Sequence, residues 1–281
     1  MAELDLTHFA GAIVRGPDGI WRPPAVEPIS YPEDGNESCF AVEESSFWFA
    51  HRNAVISALI GRYRRELEGA PFADIGGGNG FVALAIEAMG LATLLVEPGP
   101  RGAARARARG LSSVVEGTLD SCRFHDGCLA GAGLFDVVEH IPDDVAFLRE
   151  TARALRPGGL LFITVPAYPV LWSHEDDAAG HQRRYTKATM RELLAAAGLE
   201  EHYLGHFFRP LPPLIAAMRA LPYRVGLASG APTAESVARD HKPGVADRLL
   251  RRLLAGEVEA VASGASLAFG GSLLVAAQRP H

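Results

Sequence analysis

A glycine-rich turn between two apolar runs is the first feature of the chain that could bind a ligand. Gly76, Gly77, Gly78 and Gly80 separate "PFADI", typical of a buried strand, from "FVALAIEAMG", typical of a helix closed by Gly90. Glycines in such a turn let backbone N–H groups approach a ligand closely. A phosphate loop is excluded because no lysine follows Gly80. A dinucleotide site, through the pattern G-x-G-x-x-A, and a plain packing turn both stay open.

Two carboxylates decide between the ligand classes. Asp74 stands just before the glycines, where it would repel a pyrophosphate and suit a cation. Glu97 ends the next apolar run, "LLVE", where a carboxylate can accept hydrogen bonds from both ribose hydroxyls. The ligand indicated carries an adenosine and a positive charge but no phosphate. S-adenosylmethionine matches, with Glu97 on the ribose and Asp74 on the ammonium end, directly or through water.

The elements that must position these residues alternate along the chain. Five apolar runs read as strands and are followed in turn by helical patterns, namely "PFADIG", "ATLLVEP", "LSSVVEG", "LFDVVEHI" and "LLFITVP". Strands that are apolar throughout and alternate with helices predict a parallel sheet covered on both faces. Two later strands are expected in "LEEHYLGHFF" and "GGSLLVAAQRP".

The chain divides into three parts on composition and period. Residues 1–42 are rich in Pro, Gly and acidic groups, and we expect an irregular N-terminal arm. Residues 43–208 and 266–281 form the α/β domain. Residues 209–265 read as a helical insertion whose prolines break any long helix, which favours a lid over a dimer surface or a shallow membrane contact.

Composition excludes several classes of function. The net charge of −6 argues against a general nucleic-acid binder, and no apolar run is long enough for a membrane span. No signal peptide is visible, and the three cysteines have no metal-like spacing, which indicates a reducing compartment. We therefore expect a cytoplasmic monomer or homodimer that acts on a small molecule, with no metal.

Four motifs in this order resemble those of class I S-adenosylmethionine-dependent methyltransferases, and the chain is most similar to the branch of the ubiquinone-type O-methyltransferases. They are D-I-G-G-G-N-G from 74, V-E-P from 96, F-D-V-V-E-H-I-P-D-D from 135 and L-R-P-G-G-L-L-F-I-T-V-P from 155. The resemblance covers about 43–208 and the terminal strand. It implies a Rossmann-like, doubly wound sheet of seven mostly parallel strands, the last antiparallel, with a helical cap.

The resemblance also implies an activity and a set of cofactor residues. Methyl transfer to a small-molecule or natural-product acceptor is expected, at oxygen first and at nitrogen or carbon next; the acceptor could be amphipathic or lipid-linked. An NAD-dependent oxidoreductase and a non-catalytic scaffold subunit are the rival functions. Thr118 stands where the family often has an aspartate, a place that Asp120 could take. The cofactor residues implied are Arg52, Asp74, Gly76, Gly78, Gly80, Glu97, Pro98, Thr118, Leu119 and Asp136.

Histidines and a tyrosine near the expected methyl position are the catalytic candidates. His140, His181 and Tyr185 could remove a proton from the acceptor or position it. Alternatively, His140 only walls the cofactor pocket, and Tyr185 with an arginine only pins its loop. The expected substrate contacts are Trp48, His174 and Arg184. A metal held by His174, an acid and His181 is the less favoured interpretation of the same loop.

Overall fold

The computed structural model describes residues 4–11, 13–24, 43, 46–227 and 245–281, with the backbone alone at 245–249 and 251. Residues 25–42 of the expected N-terminal arm and the Gly/Ala/Ser/Thr-rich stretch at 228–244 lie outside the described residues. The strands are β1 (Val14–Arg15), β2 (Trp21–Arg22), β3 (Phe72–Ile75), β4 (Thr93–Glu97), β5 (Val114–Glu116), β6 (Leu129–Phe135), β7 (Leu155–Pro166), β8 (Glu200–Phe207) and β9 (Ser272–Gln278).

Helices alternate with these strands and also fill the later part of the chain. The α-helices are α1 (Phe47–Arg62), α2 (Phe81–Ala88), α3 (Pro100–Ala108), α4 (Leu119–Cys122), α5 (Asp144–Ala154), α6 (His174–Ala179), α7 (Lys187–Ala197), α8 (Leu211–Ile215), α9 (Leu221–Arg224) and α10 (Val245–Ser263). Short 3-10 turns lie at Leu6–His8, Val138–His140 and Pro169–Leu171, and a π-helical turn joins α8 to α9 at Ala216–Ala220.

One twisted sheet carries the fold, in the strand order β1-β2-β5-β4-β3-β6-β7-β9-β8. Strands β2 to β7 pair in parallel where they are neighbours, and β9 runs antiparallel to β7 and β8. The predicted Rossmann-like sheet with an antiparallel last strand is confirmed. In such a sheet the carboxyl ends of the parallel strands meet along one edge, and ligands bind there.

The N-terminal residues extend this sheet by two short strands, which composition did not predict. Residues 4–24 were expected to be irregular, but β2 pairs with β5, and β1 pairs with β2. The Arg22 guanidinium donates to Glu116 at 3.0 Å, and the Ile20 and Trp21 side chains are buried. Two short strand pairings and a few side-chain contacts therefore order a segment whose sequence has no periodic pattern.

The fourth predicted strand is displaced towards the N-terminus. The prediction centred on "LFDVVEHI", whereas β6 is Leu129–Phe135 and ends before Asp136, which has a positive φ of 58°. The strand is built mainly of Ala and Gly, which have low strand propensity, so its sequence signal is weak. Packing accounts for the small residues, since a Cβ at Gly131 would lie 2.5 Å from the Leu67 side chain. Consequently Val138–His140 form a turn beyond the strand.

The predicted insertion is helical where the structure describes it. Helices α8, α9 and α10 lie between β8 and β9, and α10 packs against α1. From the α8–α9 segment, Tyr223 donates to the Asp177 carboxylate at 2.8 Å and Arg224 donates to the Val170 carbonyl at 2.7 Å. The segment therefore lies on the loop after β7, next to the sheet edge that binds ligands. None of the described helices combines the length and apolar character that a membrane span requires.

A glycine-to-alanine pair tests how tightly the glycine turn is packed. Gly80 and Gly198 have φ of 76° and 75°, but a Cβ at Gly80 would lie 2.6 Å from Leu111 Cδ1, whereas nothing lies within 4 Å at Gly198. We expect Gly198→Ala to lower the free energy of unfolding by about 1 kcal/mol through backbone strain alone. Gly80→Ala should cost about 2–4 kcal/mol, because the clash is added. Urea denaturation measures both, and equal losses would contradict the packing argument.

Candidate active site

The glycine turn leaves β3 with its backbone in conformations that only glycine adopts readily. Gly76, Gly78 and Gly80 all have positive φ. A Cβ at Gly76 would lie 2.8 Å from the Val137 side chain, and one at Gly77 would lie 2.5 Å from Asp74 Oδ2. The turn is therefore a closely packed cradle at the carboxyl edge of the sheet, and side chains there would fill the approach to a ligand.

Asp74 lies fully buried beneath this cradle. Neither of its carboxylate oxygens has a hydrogen-bond partner within the described parts of the chain. Burial raises the pKa of Asp74 to about 7, with the nearby Arg52 opposing the rise and Glu97 adding to it. A buried carboxylate without a partner is costly, so the site favours a ligand that brings a positive charge. This fits the cationic, phosphate-free adenosine that the sequence indicates.

Glu97 links the cradle to the end of β4. Its Oε2 accepts a hydrogen bond from the Gly78 N–H at 2.8 Å, and its Oε1 accepts one from the Gly99 N–H at 2.7 Å. The side chain is 5% exposed, and Pro98 beside it is half-buried. Each carboxylate oxygen has a second lone pair, so the group can hold the turn and still accept hydroxyl donors.

The end of β5 carries Thr118 and Leu119, which the resemblance assigns to the cofactor. The Thr118 hydroxyl accepts from the Ser121 N–H at 3.0 Å and caps α4, while Leu119 is buried in the main hydrophobic core. Asp120 is exposed. The Thr118 side chain is thus engaged in helix capping, and a contact of either residue with an adenine stays a prediction.

Arg52 reaches from α1 to the end of β6. Its Nε lies 2.5 Å from Asp136 Oδ2, and its Nη2 donates to the Phe135 carbonyl at 2.7 Å. The guanidinium carbon is 5.5 Å from the centre of the Trp48 ring, and that ring stacks on Phe208 at 5.5 Å. The Arg52 side chain is therefore buried and ion-paired, and its contact with the cofactor stays a prediction.

His140 and His181 come together beyond the end of β6. Their ring centroids are 4.8 Å apart at an interplanar angle of 75°. Two loops are joined here, since the Gln182 N–H donates to the Glu139 carbonyl at 2.7 Å. Burial, and then the neighbouring His181, lower the pKa of His140 to about 4. His140 is therefore a neutral imidazole near pH 7.

Asp176 organises the loop that carries His181. This buried carboxylate accepts from His181 Nδ1 at 2.8 Å, from Arg184 Nε at 2.7 Å and from the Ser173 N–H at 2.8 Å. Burial raises the pKa of Asp176, but the hydrogen bonds from His181 and Arg184 outweigh it and lower the pKa to about 2. The ionised Asp176 carboxylate fixes the His181 ring through Nδ1, so the Nε2 atom of His181 takes no part in this hydrogen bond.

Comparisons with known proteins decide the family. Residues 48–204, more than half of the chain, match the methyltransferase domain family. This chain belongs to that family. It is a class I S-adenosylmethionine-dependent methyltransferase, as the order of its motifs predicts, and S-adenosylmethionine is its cofactor. The NAD-dependent oxidoreductase is thereby set aside.

Two curated relatives show how far the similarity extends. A "Probable S-adenosylmethionine-dependent methyltransferase" of Mycolicibacterium smegmatis is 27% identical over 184 residues, which is 64% of this chain and 70% of that protein. A ubiquinone biosynthesis O-methyltransferase of Xanthomonas oryzae is 33% identical over 107 residues, which is 36% of this chain. The match spans only 45% of the Xanthomonas enzyme.

Solved structures share the fold of this methyltransferase. A Haloferax volcanii methyltransferase in complex with the Trm112 activator superposes with a TM-score of 0.56 at 18% identity, over 90% of this chain and 100% of the other. Phosphoethanolamine N-methyltransferase 2 of Haemonchus contortus, in complex with S-adenosylmethionine, also gives 0.56, at 17% identity, over 92% of this chain and 61% of the other. At such identities the likeness concerns the fold alone.

Two residues predicted to contact substrate or take part in catalysis have structural roles in this methyltransferase. Arg184 is 9% exposed on its side chain and makes two hydrogen bonds to Asp176, and its contact with substrate stays a prediction. Tyr185 is buried, and its hydroxyl donates to Asp144 Oδ2 at 2.8 Å. Burial, and then Asp144, raise the pKa of Tyr185 far above its ordinary value. This geometry agrees with the alternative that Tyr185 pins the loop, and a catalytic role for Tyr185 stays a prediction.

Sequence reasoning missed two acids that the fold brings to the histidines. Asp176 and Glu139 were read only as parts of their segments, yet Asp176 holds His181 and Glu139 is buried beside His140. The available signals were the acid directly before His140 in "VVEH" and the acids a few residues before His181 in "EDDAAGH". His174, the first residue of α6, has a buried Nδ1 with no partner in the described regions, and its contact with substrate stays a prediction.

Replacing the Tyr185 hydroxyl tests its structural role. We expect Tyr185→Phe to lower the free energy of unfolding by about 1–2 kcal/mol, because a buried hydrogen bond to Asp144 is lost. The affinity for S-adenosylhomocysteine should stay at the wild-type value, since the hydroxyl faces α5 rather than the cradle. Urea denaturation and calorimetric titration measure the two effects. A large loss of cofactor affinity without a loss of stability would contradict this assignment.

Proposed function

We propose that this methyltransferase transfers the methyl group of S-adenosylmethionine to an oxygen of a small-molecule acceptor, a hydroxyl or a carboxylate. The observation that carries the proposal is the imidazole pair His140–His181, with His181 held by the ionised Asp176. The pair lies beyond the carboxyl end of β6, the sheet edge where such folds bind their ligands. The resemblance to an O-methyltransferase supports the same acceptor atom.

The need for proton removal favours oxygen over nitrogen. S-adenosylmethionine supplies a methyl group already activated by its sulfonium, so the protein must align the nucleophile, exclude water and remove any proton that blocks attack. A neutral amine can attack before it loses a proton, whereas a hydroxyl attacks well only as it loses one. His181, whose Nδ1 donates to Asp176, presents Nε2 for this proton.

The cofactor is assigned to the cradle and the two acids around it. Asp74 takes the ammonium end, directly or through water, and Glu97 accepts the ribose hydroxyls. Arg52, which is ion-paired with Asp136, stands near enough to the sheet edge to bind the cofactor carboxylate. Pro98 and Leu119 border the adenine. The buried oxygens of Asp74 support this arrangement because they have no hydrogen-bond partner among the described residues.

An amphipathic acceptor, lipid-linked or not, agrees with the surface of the insertion. Apolar side chains are exposed on the segment that packs on the loop after β7, namely Leu214, Met218, Leu221, Val225 and Leu227. Met218 is 72% exposed and Leu227 is 76% exposed. Such a surface suits contact with an apolar tail. The lid role of 209–265, a cytoplasmic location and a monomeric or homodimeric state stay predictions.

A matched acceptor panel tests the atom that is methylated. The purified chain is incubated with S-adenosylmethionine labelled with carbon-13 in the methyl group and with a phenol, a benzoate and an aniline on one alkyl-chain skeleton. Product mass and the carbon-13 shift identify O-methyl or N-methyl. We expect an O-methyl product of the phenol that is lost in His181→Gln and retained in His202→Ala, at an exposed histidine on β8. Methylation of the aniline alone would overturn oxygen transfer. Binding of S-adenosylmethionine without turnover, together with a copurifying protein, would favour a scaffold subunit.

A further inference from the structure

Three metal-ligating side chains converge beside the proposed acceptor position. One ligand atom each of Glu139, His140 and His181 can be chosen so that all lie within 4.8 Å of one another. Glu139 and His140 belong to the 3-10 turn after β6, and His181 follows α6. The Gln182 N–H bond to the Glu139 carbonyl, at 2.7 Å, holds the two loops in this register. The grouping is therefore built into the backbone and does not depend on flexible surface side chains.

The histidines are oriented as metal ligands usually are. His181 donates its Nδ1–H to the ionised Asp176, which leaves Nε2 as the nitrogen with a lone pair. A carboxylate on the far nitrogen of a ligating imidazole fixes its tautomer and raises its basicity. His140 bonds the backbone of Gly180, which holds its ring in place beside His181.

Glu139 supplies the observation that points to a missing positive charge. Its side chain is 1% exposed, and its Oε2 has no hydrogen-bond partner within the described residues. The nearby Arg52 guanidinium is already ion-paired with Asp136. A buried acid in this position is strongly disfavoured as an anion unless a cation joins it.

We propose that Glu139, His140 and His181 bind a divalent transition-metal ion through two imidazole nitrogens and one carboxylate oxygen. Imidazole with carboxylate suits Zn²⁺, Mn²⁺ and Fe²⁺, and three protein ligands leave coordination positions open for another molecule. Bonds of about 2.0–2.2 Å bring neighbouring ligand atoms to about 3 Å from one another, so the three side chains move inward on binding. This revises the expectation, drawn from the sequence, of no metal.

The role of the ion rests on the proposed function, whereas its binding does not. An acceptor hydroxyl on the ion would have its pKa lowered, as bound water does. The hydroxyl proton then passes to solvent water, and the metal-bound oxygen attacks the methyl carbon as the carbon–sulfur bond breaks. In the metal-loaded enzyme His181 is a ligand of the ion and does not remove the proton itself. The ion then activates the acceptor hydroxyl in place of His181. Open positions favour an acceptor with two adjacent oxygens, such as a catechol.

Metal binding is tested without any acceptor. The tag-free full-length chain is treated with a chelator, dialysed and titrated with Zn²⁺, Mn²⁺ and Co²⁺ by calorimetry, with the visible spectrum of Co²⁺ as a second readout. We expect one equivalent of metal in the wild type and a loss of affinity of about tenfold or more in Glu139→Gln and in His140→Gln. His202→Ala is the control with unchanged affinity. Affinity for S-adenosylhomocysteine shows that each variant is folded.

The outcomes separate this inference from the proposed function. Absence of metal binding to the wild type, or binding that Glu139→Gln and His140→Gln leave unchanged, overturns the site. If metal binds at these residues and no hydroxyl acceptor is methylated, the site stands and the proposed function fails. Methylation at the full rate in chelator-treated protein, which contains no metal by elemental analysis, overturns the role of the ion in the reaction.

Discussion

Asp74→Asn is expected to weaken the binding of S-adenosylmethionine and of S-adenosylhomocysteine about 10- to 100-fold. Both ligands carry the ammonium group that we assign to Asp74, and a hydrogen bond to a charged group is worth about 1.5–3 kcal/mol. The carboxylate is fully buried and without a partner in the described structure, so no solvent screens the interaction. Calorimetric titration measures both affinities. A loss for S-adenosylmethionine alone would place Asp74 at the sulfonium instead.

Because of Asp74, the affinity for S-adenosylmethionine should depend on pH. Because the pKa of Asp74 is about 7 in the folded chain, the ionised form that binds a cation becomes more populated as the pH rises towards 7. Wild-type affinity should therefore rise between about pH 5.5 and 7, below the range in which the α-amino group of the ligand deprotonates. Asp74→Asn should show a flat profile in this window. Parallel profiles would mean that another group titrates.

The free energy of unfolding of the ligand-free chain should fall with rising pH, whereas the affinity for the cofactor rises. The pKa of Asp74 rises from 3.8 in the unfolded chain to about 7, so between these values the folded chain binds more protons. Its stability then falls as the pH rises from about 4 to 7 and levels off above. Relative to wild type, Asp74→Asn should gain up to about 4 kcal/mol across this range. Urea denaturation at several pH values measures the difference.

The strands that the sequence predicts well are those whose apolar runs are long or rich in branched residues. The runs that become β4 and β7 are Leu-, Val- and Ile-rich, and they form strands where expected. The prediction for strand β6 lay too far towards the C-terminus. The Ala and Gly residues of this strand allow close packing but have a low propensity for strands. Strand β2 pairs with β5 through one residue pair, Trp21 with Val115. No pattern in residues 4–24 predicts this pairing.

The places of Asp74 and Glu97 in the fold could be predicted because both residues stand at strand ends. Asp74 and Glu97 are fixed by β3 and β4, so their positions follow from the parallel sheet alone. The acceptor end depends on how two loops meet, and the bond between Gln182 and Glu139 that joins them has no local signature. Which way Tyr185 faces is decided by the same loop packing, and its hydroxyl is directed to α5.

Asp176→Asn is expected to lower the free energy of unfolding by about 3–5 kcal/mol, a large part of the stability of an ordinary domain. The change leaves the Arg184 guanidinium buried without its charged partner and removes an acceptor from the Ser173 N–H and from His181. Asp177→Asn, one residue on, is the matched control. Its carboxylate is exposed and, among the described residues, accepts from the side chains of Trp172 at 2.9 Å and Tyr223 at 2.8 Å, so about 0–1 kcal/mol is expected there.

A double-mutant cycle shows whether the loss of stability in Asp176→Asn comes from the buried, unpaired charge of Arg184. In Asp176→Asn with Arg184→Gln no buried cation is left unpaired, so the pair should cost at least about 1 kcal/mol less than the two single losses combined. Urea denaturation of the four proteins gives the coupling free energy. If Asp176→Asn cost no more than Asp177→Asn, the carboxylate would not organise the loop, and the orientation of His181 that both the proton transfer and the metal site require would need another cause.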